Sequence, residues 1–129
     1  MTERSKKKYV PNQISLKARL ANLIFSSLFI IGGGYGVWKN DLVVELGKGI
    51  TRQVYHLHNE AAVIMYLGLL LVSVCLISEI VDHYDKRNNE NIYHKIATYT
   101  LWPGAALCII GFSLPYIFNA NGVNTHNLN

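Results

Sequence analysis

The chain has 129 residues, half of them apolar and only 16% charged, with 12 basic residues against 8 acidic ones and a formal net charge of +4. That length holds one domain and not two, and the charged fraction falls below the roughly one quarter typical of soluble domains. Charge is also segregated, since Leu20 to Trp38 carries none, Ala61 to Ser78 carries none and nothing beyond Lys95 is charged. A soluble bundle is thereby disfavoured, because its helices keep a polar face.

A helix of about 20 apolar residues crosses the ~30 Å hydrocarbon core of a bilayer. Three such stretches predict an all-α integral membrane protein with three transmembrane helices over 20–38, 61–81 and 96–118. The expected order is a basic segment over 1–19, the first span, a loop over 39–60, the second span, a charged helix extension and turn over 82–95, the third span and a polar tail over 119–129.

The first 19 residues carry six basic side chains against Glu3, a net charge of +5. No A-x-A cleavage pattern follows, and no aromatic or glycine-rich pattern accompanies the lysines. The segment reads as a topology anchor on anionic headgroups, with no nucleic acid as partner. The first span ends in Gly32, Gly33, Gly34 and Gly36. Gly32 and Gly36 have the spacing that lets two membrane helices approach closely, although the crowding of glycines also fits a loosened helix end.

In the loop, Val43, Leu46, Ile50, Val54 and Leu57 recur at helical spacing, which places part of it on the membrane surface as an interfacial helix. Gly47 and Gly49 weaken that helix. The fragment GKGIT lacks the first glycine and the four-residue gap of a phosphate loop. His56, His58 and Glu60 alternate in HLHNE; in an extended segment all three point one way, as metal ligands do. The alternative is that Asn59 caps the second span while Glu60 favours its positive end.

The second span exits into a charge cluster. Glu79 lies about 27 Å along the helix from Ala61, near the interface and out of the hydrocarbon centre. With the helix continuing, Glu79, His83, Lys86 and Glu90 fall on one stripe, flanked by Asp82 and Asp85. Glu79, Asp82, His83 and Asp85 could hold a metal, but a charge run just outside a membrane is more often a solvated, self-paired face. Asn88 and Asn89 break the helix and fold spans two and three into a helical hairpin. Pro103 and Gly104 should kink the third span. Cys75 and Cys108 lie at different depths and form no redox or metal motif.

With the N-terminus inside, nine basic residues flank the spans on the inner side and three, Lys39, Lys48 and Arg52, on the outer side. The positive-inside rule then gives an N-in, C-out topology and puts the two histidine clusters on opposite sides of the membrane. The segments SLKARL, HLHNEAA and VDHYDKRNNE resemble small uncharacterised bacterial inner-membrane proteins over most of the spans and loops. The resemblance implies a bacterial inner-membrane setting and carries no activity, so no functional residue transfers with it.

The pattern therefore favours a non-enzymatic subunit or modulator of a membrane complex, partnered by the lipid bilayer and by a membrane protein or by copies of itself. Its expected contact surfaces are Gly32, Gly36, Glu79, Asp82, His83 and Lys86. An immunity or exclusion protein against a toxin or phage component is the second reading. A metal- or haem-handling protein using His56 and His58, or His83 and His94, is the third. No cofactor and no catalytic residue are predicted.

Overall fold

The computed structural model describes residues 14–85 and 89–122. Among them, three helical segments are long and apolar enough to cross a membrane: Leu16–Trp38, Asn59–Tyr84 and Glu90–Phe118. The first is interrupted. Helix α1 (Leu16–Ser27) leads through a π-helical turn (Leu28–Gly32) into α2 (Gly33–Trp38). Ser15 caps α1, its side chain accepting from the Ala18 N–H at 3.3 Å. Just before the π turn, the hydroxyls of Ser26 and Ser27 both donate to the Leu23 carbonyl, at 3.0 and 2.8 Å. Such back-bonding competes with the regular ladder and suits a bulged turn.

The π turn redirects the glycine run. Gly33 and Gly36, not Gly32 and Gly36, are the buried pair. A Cβ at Gly33 would stand 2.6 Å from the Tyr66 ring, and one at Gly36 would stand 2.8 Å from Leu42, whereas one at Gly32 would meet nothing within 4 Å. The Tyr66 hydroxyl donates to the Ile30 carbonyl at 3.2 Å, satisfying a backbone group within the bulge. Gly36 is thus used inside the chain, and only Gly32 of the expected pair faces outward.

The loop after α2 forms a small antiparallel sheet, so the fold is not purely helical and the interfacial helix is not formed. Strand β1 (Leu42–Leu46) pairs with β2 (Gln53–Leu57) in a register that sets Leu42 opposite Leu57 and Val44 opposite Tyr55. The governing period is two. Leu42 and Leu57 are buried beside Ala61, Ala62 and Met65, with Val44 packed against them, while Val43, Glu45, Val54 and His56 are exposed. Valines and an aromatic favour a pleated surface, and the residues between the strands favour the reversal. Gly47 has φ +96° and Gly49 has φ +58°, and a Cβ at Gly47 would sit 2.3 Å from the Thr51 carbonyl oxygen. Those two glycines end any helix and close the hairpin.

Helix α3 (Asn59–Tyr84) lies between the first span and α4 (Glu90–Gly122). It is the most apolar of the three and the most buried. Its seam with α4 is made by missing side chains. A Cβ on Gly68 would fall 2.8 Å from both the Gly104 carbonyl oxygen and the Cys108 nitrogen; one on Gly111 would fall 2.6 Å from the Met65 nitrogen. The two backbones therefore touch, running in opposite directions. Helix α4 carries Pro103 and Pro115 within one continuous helix, and both cysteines are free.

The charged exit is shorter than the periodicity suggests. Helix α3 stops at Tyr84, Asp85 leaves helical geometry at ψ 111°, and α4 already begins at Glu90. Asp85 Oδ2 accepts from the Tyr93 hydroxyl at 2.8 Å and from Asn89 Nδ2 at 3.3 Å. These bonds tie the Asp85 carboxylate to the start of α4. Glu79 and His83 still share a face one turn apart, but Glu90 belongs to the next helix, and Lys86 lies outside the described residues.

Because Gly111 meets backbone and Gly32 meets open space, alanine at the two positions should behave differently. Gly111→Ala is expected to cost about 1–3 kcal/mol by overpacking, and Gly32→Ala close to nothing, as read from thermal unfolding of the detergent-solubilised protein. Gly47→Ala, which forces a side chain into the left-handed region, should make the 47–52 turn the first site of limited proteolysis while the spans stay intact.

Candidate functional site: polar clusters at the two ends of the bundle

At the α2 end, the chain must leave one span and enter the next across a short sheet. Asn40 and Asn59 both adopt the left-handed conformation, with φ 54° and 53°. Asparagine tolerates that region better than other side chains, because its amide bonds locally. The two residues clasp each other: Asn40 Nδ2 donates to Asn59 Oδ1 at 3.1 Å, and the Asn59 N–H donates to Asn40 Oδ1 at 2.5 Å. His58 Nδ1 donates to the Asn40 carbonyl at 2.6 Å, and His56 Nδ1 sits 2.7 Å from Asp41 Oδ1.

The HLHNE motif is therefore a fastening between the first and second spans. His56 and His58 are each bound to the segment that precedes the sheet, while Glu60 lies in the first turn of α3. Asn59 does not cap its own helix, since residue 58 holds the cap position and the Asn59 amide is committed to Asn40. Among the described residues no three His, Cys, Asp or Glu side chains are grouped so as to hold a metal ion.

At the opposite end, polar side chains of α1 and α4 converge on the last turns of α3. Asn22 Nδ2 donates to Glu79 Oε2 at 2.8 Å, and Arg19 Nη1 donates to the Tyr84 hydroxyl at 2.9 Å with its guanidinium 5.5 Å from that ring. His83 lies edge-on to Tyr84 at 5.2 Å. From α4, Tyr93 reaches Asp85 as described. Glu79 is thus a tie between α1 and α3, and Asp85 a tie between α3 and α4.

Between these ties lies a cleft of about 550 Å³, walled by Glu79 and Asp82 of α3, by Glu90, Asn91, Tyr93, His94 and Ala97 of α4, and by Ile14 ahead of α1. Asp82 is only 8% exposed. Of the acidic and histidine residues singled out at this end, Glu79, Asp82, Glu90 and His94 line the cleft and His83 and Asp85 do not. Glu90 and His94 join it because α4 starts early and brings its first two turns alongside the end of α3. Their placement follows from tertiary packing; Asn22, in contrast, was a legible signal, being an amide inside an otherwise apolar span that needs a partner.

Compared with known protein families, curated proteins and solved structures, the chain matches none.

The Asn22–Glu79 bond should appear as a coupling. Asn22→Ala and Glu79→Ala are each expected to lower stability by about 0.5–1.5 kcal/mol, and the double variant by less than the sum of the two. Thermal unfolding of the four proteins in one detergent checks this; additive losses would mean the bond contributes nothing. At the other end, Asn40→Ala should destabilise by about 1–2 kcal/mol more than Asn40→Gly, because glycine retains the left-handed backbone at no steric cost.

Proposed function

We propose that the chain is a non-enzymatic three-span protein of a bacterial inner membrane, working by association as a small subunit or modulator of a larger membrane complex. In this reading the second and third spans act as one helical hairpin, with the N-terminus in the cytoplasm and the C-terminus outside. Nine basic residues on one side against three on the other support that orientation. The cleft then opens to the cytoplasm and the sheet faces out.

The observation that carries the reading is the acidic cleft framed by bonded helix ends. Glu79 is held by Asn22 and Asp85 by Tyr93, so these ionisable groups hold helices in place. Glu79, with Asp82 and Glu90, lines an acidic recess between α3 and α4, and Asp85 stands beside it. A basic segment of a partner is the complementary shape and charge, and such complementarity gives register and specificity.

Extraction from native membranes in a mild detergent should yield a particle much heavier than the monomer. Glu90→Lys, at the half-buried wall of the cleft, should release the partner while the spans remain folded. A monodisperse monomer from wild-type membranes would contradict the proposal.

A second reading is supported by a specific feature. Val43, Leu46, Ile50 and Val54 are large apolar side chains exposed on the sheet and its turn. On the outer side they would suit an immunity or exclusion protein that meets an incoming toxin or phage component. Replacing residues 47–52 by a glycine–serine turn should then abolish protection, whereas a subunit bound through the cleft would keep its partner.

A further inference from the structure

A second cavity, of about 760 Å³, runs along the seam where the first span meets α3 and β1. Leu28, Phe29, Gly32, Met65 and Leu69 line its apolar part, and Lys39 stands at its rim. Ten residues separate Phe29 from Lys39, a rise of about 15 Å, which is the depth of one leaflet. The groove is therefore apolar over the acyl depth and polar where headgroups lie.

The rim carries a defined charge. The Lys39 ammonium sits 4.7 Å from the Trp38 ring and 5.8 Å from the Tyr35 ring, and those two exposed aromatics are of the kind that anchor at the membrane interface. Both carboxylates on the rim are already engaged: Asp41 with His56 at 2.7 Å, and Glu45 in an ion pair with Arg52. Among the described residues Lys39 forms no ion pair, so the rim offers a cation above an apolar slot.

We propose that this groove binds a glycerophospholipid of the adjacent leaflet, with an acyl chain lying against Gly32 and Phe29 and the phosphate on Lys39. The π turn makes the slot, because it leaves Gly32 facing outward with nothing within 4 Å of a Cβ while Gly33 packs against Tyr66.

The test is native mass spectrometry of the full chain, solubilised and supplied with either phosphatidylglycerol or diacylglycerol, which lacks the phosphate. Wild type should retain one phosphatidylglycerol per chain and release diacylglycerol. Lys39→Gln should weaken retention by about tenfold. Gly32→Phe should fill the slot and abolish the adduct with the helical content unchanged; Lys39→Gln keeps the test decisive if that variant fails to fold. Equal retention of the two lipids would overturn the proposal, as would retention unaffected by Lys39→Gln. A wild-type dimer without a lipid adduct, lost in Gly32→Phe, would assign the groove to a second copy and overturn it as well.

Discussion

The close approach of α3 and α4 is the constraint on which the rest of the structure depends. Within a bilayer, helices gain nothing by hiding apolar side chains from one another, because lipid tails are as apolar as leucine. Contact must come from surfaces that fit. Gly68 against Gly104 and Cys108, and Gly111 against Met65, bring two backbones within van der Waals distance. That seam aligns the start of α4 with the end of α3, and so builds the cleft of Glu79, Asp82, Glu90 and His94. Shifting α4 by one residue along the seam would push a side chain into backbone.

Polar ties at the two ends complete what the seam begins. Where the first span meets α3, Gly33 and Gly34 face the Tyr66 side chain and not backbone. The span is fastened instead by Arg19 and Asn22 at one end and by the Asn40–Asn59 clasp at the other. The sheet rests on this frame. Leu42 and Leu57 plug the space over Ala61 and Ala62, and Tyr55 packs edge-on to Phe112 of α4 at 4.9 Å. His56, His58, Glu79 and Asp85 are thereby bonded to other segments, while Asp82 lines the cleft.

The three spans were legible because length and apolarity decide them with little help from tertiary contacts. Asn22 and the glycine-flanked strands also carried readable signals. The valines of LVVEL and QVYHL, with Gly47 and Gly49 between them, fit a hairpin, but the same residues at positions 43, 46, 50, 54 and 57 mimic a helical stripe. Short segments permit both periods, and packing of Leu42 and Leu57 on α3 selects one. The glycine seam was less accessible. Gly68, Gly104 and Gly111 are distant in sequence and acquire meaning only when α3 and α4 are laid together, whereas the crowded Gly32–Gly36 run draws attention and is partly consumed within its own chain. The early start of α4 was likewise hidden, since Glu90 to Lys95 are mostly polar and Asp85 ends the preceding helix with bonds to Asn89 and Tyr93.

The proposed role rests on the cleft being a place where another polypeptide sits. A photo-crosslinking residue at Asn91, on the cleft wall and exposed, probes this directly in living cells. The account predicts a crosslinked adduct with a defined membrane polypeptide, lost when Glu90 is changed to lysine. An unmodified chain, or adducts with lipid alone, would contradict it.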